Sequence, residues 1–163
     1  MTNISFRDDI LGLRAFAIIP IIFFHFDYIF FKGGFIGVDI FFVISGYLIT
    51  SIIYTNNNNF NYKKFIERRT RRIVPLLFVV IIFTIPISYI FMLPKNLFDF
   101  GQSVFLSPIF LSNFLFWFEE GYWELTSQMK PLLHTWSLSV EWQFYIFFPL
   151  IFLLKKKDKI ILF

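Results

Sequence analysis

Five apolar runs, separated by short polar stretches, organise the chain: residues 10–31, 35–54, 73–93, 104–118 and 140–154. A transmembrane helix needs about 20 mostly apolar residues. The first run is interrupted by Arg14, His25 and Asp27, and the second carries Asp39 near its start. The third is the cleanest. Its Pro75 falls in the first turn of the predicted span, where a missing N–H costs little, and its Pro86 predicts a kink. The fourth is short and contains Pro108 and Asn113, whereas the fifth extends back through Leu138 and Trp136. Lys32, Gly33 and Gly34 predict a tight turn between the first two spans, and Asn56 to Asn59 a polar loop. The pattern predicts an all-α integral membrane protein, a multi-span helical bundle with about four crossing helices (10–31, 35–54, 73–93 and 136–154). Residues 104–118 form one re-entrant or laterally packed helix that does not cross.

Charge refines this picture. Hydrophobic residues make up 57% of the chain and charged ones 16%, too few to cover a soluble domain of this size. The mean hydropathy is +0.68. Phe, Ile, Asn and Lys all have AT-rich codons, so the segregation of apolar from charged residues says more than the totals. Lys63, Lys64, Arg68, Arg69, Arg71 and Arg72 form one basic cluster, and Lys155, Lys156, Lys157 and Lys159 another. Both sit directly against apolar runs, which marks cytoplasmic loops rather than a nucleic-acid surface. Two crossings precede the first cluster, so the N-terminus is expected in the cytoplasm. Keeping both clusters inside requires an odd number of crossings between residues 94 and 155, which the 136–154 span supplies. The absence of Cys excludes disulfides, thiolate metal sites and a cysteine nucleophile. No cleavable signal peptide is expected, because the first run has charges within it and no small-residue cleavage site. The chain stops at Phe163 as another apolar stretch begins, which favours a truncated membrane domain.

Several ionisable groups stand where they are costly. Arg14 and His25 are eleven residues apart, so on a helix they are separated by about 16 Å and lie within about 20° of one face. His25 suits a general base for a hydroxyl acceptor, and Arg14 an anion such as a phosphate. The structural alternatives are an Arg14 that snorkels to head groups and a His25 that bonds a nearby carbonyl. Asp39 either orients the imidazole or is simply a favourable charge in a first helical turn. Arg69 and Arg72 share a helix face and could grip phosphates bidentately, or meet only lipid head groups. Glu141 enters its span from the side on which His25 and Asp39 are expected, and three ionisable groups at one depth suggest an active site. Trp136, Trp142 and Tyr145 suit an interfacial aromatic belt, and Ser139 lacks the elbow of a nucleophile. Two histidines without HExxH spacing give little support to a metal site, although His25, Asp39 and Glu141 have the composition of one.

The ordered motifs resemble the acyltransferase 3 family of multi-span membrane enzymes. Arg14 and His25 match its Arg–ten residues–His pattern. Phe65, Arg68, Arg69, Arg72 and Pro75 fit FxxRRxxRxxP without a departure. The runs GGFIGVDIFFVISGYLIT (33–50) and HTWSLSVEWQFY (134–145) are similar to family signatures. The resemblance covers residues 1–163 as the N-terminal part of a longer domain of about ten spans, whose remaining C-terminal spans would be partners of this part. It implies a multi-pass enzyme of the bacterial cytoplasmic membrane, with no tightly bound cofactor. Acetyl-CoA or another acyl-CoA would be the donor, and a hydroxyl of a carbohydrate such as a surface polysaccharide the acceptor. Arg68, Arg69 and Arg72, with Arg14, would hold donor phosphates. His25 would act as base or acyl relay, and Asp39 or Glu141 would orient it. A transporter segment and an inactive truncated remnant are the competing readings.

Overall fold

The computed structural model describes residues 8–55, 60–119 and 130–161. The predicted Asn56–Asn59 loop and residues 120–129 lie outside them. The described residues form six α-helices: α1 (Asp8–His25), α2 (Ile36–Thr55), α3 (Tyr62–Phe91), α4 (Pro94–Leu106), α5 (Ser112–Phe118) and α6 (Thr135–Ile161). Contacts divide the chain into two compact units, residues 1–58 and 59–163.

In the first unit α1 and α2 are joined by a 3-10 turn at Ile29–Phe31. Asp27, in the left-handed region at φ 52°, helps to reverse the chain after α1. The two helices meet backbone to backbone. A Cβ at Gly34 would overlap the carbonyl oxygen of Pro20, and one at Gly37 the carbonyl oxygen of Ala17. Glycine is required at both places because no side chain fits between the helices. Ala17, Ile44, Ile49 and Ile53 are buried, whereas Phe16, Phe26, Phe30 and Val43 are more than 70% exposed. An apolar exterior of this kind suits lipid.

In the second unit α3 starts well before its apolar part. The side chain of Asn61 caps it by accepting a hydrogen bond from the Lys64 N–H at 3.0 Å, so the basic cluster at 63–72 is helical. Pro75 therefore lies in the helix interior, not in a first turn. The hydropathy boundary is not the helix boundary, because a cap can begin a helix in a polar segment. Leu77, Ile81, Phe100, Phe110 and Leu132 form the core, with Leu138 and Trp142 of α6 packed against it. Phe110 is held at φ 57°. Its ring stacks on Trp142 at 4.5 Å, and its carbonyl accepts from Gln143 Nε2 at 3.0 Å. Gln143 and Asn113 exchange a reciprocal amide pair at 3.0 and 3.2 Å.

The number of crossing helices must be corrected. Among the described residues only α2 and α3 are long and apolar enough to cross a membrane, not four helices. α1 carries Asp8, Asp9 and Arg14 within 18 residues. α6 opens with Thr135, Ser137, Ser139, Glu141 and Gln143 among its apolar positions. Residues 104–118 are shared between α4 and α5, helices of 13 and 7 residues, about 20 and 10 Å long against a hydrocarbon core of about 30 Å.

Candidate active site

The residues singled out in the sequence fall in both units: Arg14, His25 and Asp39 in the first, Arg68, Arg69, Arg72 and Glu141 in the second. In the first, Ala17 and Ile21 face α2 through Gly37. At about 100° per residue, Arg14 and His25 lie together on the flank of that stripe, about 16 Å apart along the axis. Arg14 is half-buried, whereas His25 is exposed in the last turn of α1, with Phe24 edge-on at 5.5 Å.

Asp39 sits in the first turn of α2 and is exposed. Gly37 lies against Ala17, so Asp39, two residues on, is level with Ala17 to within about a turn. Because the two helices run antiparallel, this puts it about 15 Å along the axis from the level of His25 and close to that of Arg14. The rotation of about 200° between residues 37 and 39 turns Asp39 away from α1. The register thus does not bring Asp39 to the imidazole.

In the second unit the arginine motif and the 134–145 motif come together. The Arg69 guanidinium lies 4.8 Å from the centroid of the Tyr145 ring and 5.6 Å from that of Phe65. Tyr145 is buried. Its ring meets Phe65 at 6.3 Å and Trp142 at 6.4 Å, both edge-on, and its hydroxyl donates to the Glu141 carboxylate. Two turns earlier on α3 than Arg69, the Tyr62 hydroxyl donates to the Ile146 carbonyl at 3.3 Å. Arg69, Tyr145 and Glu141 are therefore one array. A cation over a ring face leaves its N–H donors in the guanidinium plane, free to meet an anion. The carboxylate draws on the phenol proton, which enriches the ring and strengthens its hold on the cation. Arg68 and Arg72 are exposed beside this array. Arg71 is paired with Glu67 at 2.7 Å on the surface, a contact worth about 0–1 kcal/mol.

Sequence reasoning treated Tyr145 as an interfacial aromatic and missed its role. The Glu–Tyr spacing of four was the available signal. It also missed a buried chain of hydroxyls. Ser139 meets Ser112 at 2.8 Å, Ser112 meets Thr135 at 3.0 Å, and Thr135 meets Ser107 at 3.0 Å. Thr135 also donates to the Leu132 carbonyl at 2.7 Å. The Thr135 proton is shared between Ser112 and the Leu132 carbonyl, and Ser107 donates to the Ser103 carbonyl at 2.7 Å. This chain ties the start of α6 to α4 and α5, and it leaves Ser139 1% exposed. No group of three His, Cys, Asp or Glu that could hold a metal occurs among the described residues.

Comparison with known proteins bears on this geometry. A family model described as an acyltransferase domain matches residues 7–163. The chain belongs to that acyltransferase family. It is similar to the peptidoglycan O-acetyltransferase OatA of Listeria monocytogenes, at 41% identity over 85% of this chain and 23% of that protein. It is also similar to the O-acetyltransferase OatA of Staphylococcus aureus, at 37% identity over 86% of this chain and 24% of the relative. The chain thus spans about a quarter of the length of these acyltransferase relatives. No solved structure matches it. With two helices fit to cross a bilayer, this family member is membrane-associated.

Proposed function

We propose that this chain takes part in moving an acyl group, by default acetyl, from acyl-CoA to a hydroxyl of a cell-envelope polysaccharide such as peptidoglycan, in the bacterial cytoplasmic membrane. The observation that carries the reading is the Arg69–Tyr145–Glu141 array beside exposed Arg68 and Arg72. It supports a preorganised cationic surface at the basic end of α3, which would face the cytoplasm, where CoA is found. Arg68 and Arg72 meet the donor's phosphates, and Arg69 offers its in-plane N–H groups to the same anion. Arg14, half-buried on α1, is assigned to the donor as well. Glu141 acts through Tyr145 on Arg69 and is thus a positioning residue at the donor end.

His25 is the catalytic group of this proposal. As general base, it takes the proton of the acceptor hydroxyl while the hydroxyl oxygen attacks the thioester carbonyl. The C–S bond breaks, and CoA leaves as a thiolate that is then protonated. As acyl carrier, the imidazole attacks first and the hydroxyl second. Rapid-quench trapping of an acyl-enzyme separates the two routes. Asp39 is retained as a candidate support for charge at the site, from a face of α2 turned away from α1.

The test is binding of acetyl-CoA, against 3′-dephospho-CoA, to the protein expressed from its complete coding frame in nanodiscs. Arg69→Ala plus Arg72→Ala is expected to weaken acetyl-CoA binding about 10- to 100-fold or more, as loss of charge-assisted hydrogen bonds does. Folded wild-type protein that binds no CoA would overturn the proposal and favour a transporter or an inactive remnant.

A further inference from the structure

The second unit has a cavity at the opposite end of α3 from the arginines. Its volume is about 420 Å³, and Lys95, Asn96, Asp99, Phe118, Glu119 and Lys130 are among the residues that line it. This falls within the range of small-molecule sites, about 300–1,000 Å³. From Arg72 to Phe91, α3 rises about 28 Å, close to the hydrocarbon thickness of about 30 Å. A spanning α3 therefore puts the arginines and the cavity on opposite faces of the bilayer.

The chemistry of the lining narrows the ligand. Two carboxylates and two ammonium groups balance to no net charge, and Glu119 is already paired with Lys130 at 2.8 Å. The pair is only about one-fifth exposed, and Lys130 is further fixed over the Phe116 ring at 5.8 Å. With Lys130 engaged by Glu119 and Asp99 offsetting Lys95, no net positive charge is left to hold a phosphate. What remains is a cleft in which Asp99 accepts hydrogen bonds, Asn96 both donates and accepts, and Phe118 offers a flat apolar face. That combination matches the alternating hydroxyls and C–H face of a pyranose ring.

We infer that this cavity is a binding subsite for a neutral sugar unit of the acceptor glycan, on the bilayer face opposite the donor arginines. The inference rests on the acyl-transfer reading, and binding can be measured apart from transfer. The probe is the uncharged tetramer of β-1,4-linked N-acetylglucosamine, titrated into the full chain in nanodiscs and followed by tryptophan fluorescence. Asp99→Asn, Asn96→Ala and Phe118→Ala are each expected to weaken binding about tenfold, with acetyl-CoA affinity unchanged. Retained CoA affinity also shows that the variants fold, and Asn96→Asp gives a milder second change at the same place. Tetramer affinity unmoved by all four variants overturns the subsite while acetyl transfer by the wild type leaves the acyl-transfer reading standing. A wild type that binds glycerophosphoethanolamine but not the tetramer overturns it in favour of a lipid head group. Wild-type protein that binds the tetramer but neither binds CoA nor transfers acetyl overturns the acyl-transfer reading instead.

Discussion

In the α1–α2 unit the helices touch through their backbones: Gly34 and Gly37 lie on the carbonyls of Pro20 and Ala17, while His25 and Asp39 stay exposed. In the α3–α6 unit the contacts run through side chains. Tyr145 holds Glu141 by its hydroxyl and Arg69 by its ring, and four hydroxyls form a buried chain. The first arrangement leaves ionisable groups accessible, as a group that must meet a substrate requires. The second arranges its groups before any ligand arrives, as an anion-binding surface requires. The difference teaches that proximity in a motif and cooperation in space are separate matters. Arg14 and His25 share a flank but stand about 16 Å apart, whereas Arg69 and Glu141, 72 residues apart in sequence, belong to one array.

The sharpest way to break this comparison is at the imidazole. His25→Ala is expected to lower acetyl transfer by about 10²–10⁴-fold, the usual contribution of a positioned general base. Asp39→Asn should cost less than about tenfold, because the register holds Asp39 nearly three turns from His25. Equal losses in the two variants, measured by radiolabelled acetyl transfer, would show that Asp39 does reach the imidazole. His134→Ala, on an exposed residue, should leave the rate close to wild type.

The next largest effect is expected at the glycines. Gly37→Ala should destabilise by about 1–3 kcal/mol by overpacking against Ala17. Gly46→Ala, with open space at its Cβ, should be neutral or stabilising by up to about 1 kcal/mol. Thermal unfolding in nanodiscs checks both, and similar shifts would mean that the helices are not in backbone contact. In the other unit, Ser112→Ala and Ser139→Ala should each cost about 1–3 kcal/mol by leaving a buried hydroxyl short of its partner. The double variant should cost little more than either single one. Full additivity would deny that these hydroxyls interact.

The smallest effect tests the array itself. Tyr145→Phe keeps the ring beneath Arg69 and removes only the link to Glu141. Acetyl-CoA affinity should fall about three- to tenfold, less than in Arg69→Ala, since an exposed to partly desolvated cation–π contact is worth about 0.5–2 kcal/mol. Arg69→Lys should fall between them, because an ammonium lacks the planar fork. Identical affinities in Tyr145→Phe and wild type would remove Glu141 from the donor site.

Much of the helical character was legible without coordinates. The turn at Gly33 and Gly34 and the helices α2 and α3 follow from apolar runs and the residues that punctuate them. The crossing count was not legible. α1 and α6 are helical with apolar stretches, yet their charged and polar positions keep them out of the class that α2 and α3 occupy. The start of α3 was misplaced because Asn61 caps the helix in a polar segment. Of the candidate site, the residue types were visible in the motifs, but Tyr145 was seen only as an aromatic and the 107–112–135–139 chain not at all. Those depend on which helices approach, at what level and by which face.

The sequence by itself determined the all-helical class, the lipid-compatible exterior, the basic start of α3 and, through four ordered motifs, the acyltransferase family. Each is a property of one segment, carried by composition and by periodicity along a single helix. Only the tertiary structure decided that Asp39 stands level with Ala17 rather than His25, that Arg69 reaches Glu141 through Tyr145, and that Ser139 is locked in a hydroxyl chain. These are relations between helices. They are set by how closely glycines let backbones approach and by where buried polar groups find partners, and no spacing within one segment encodes them.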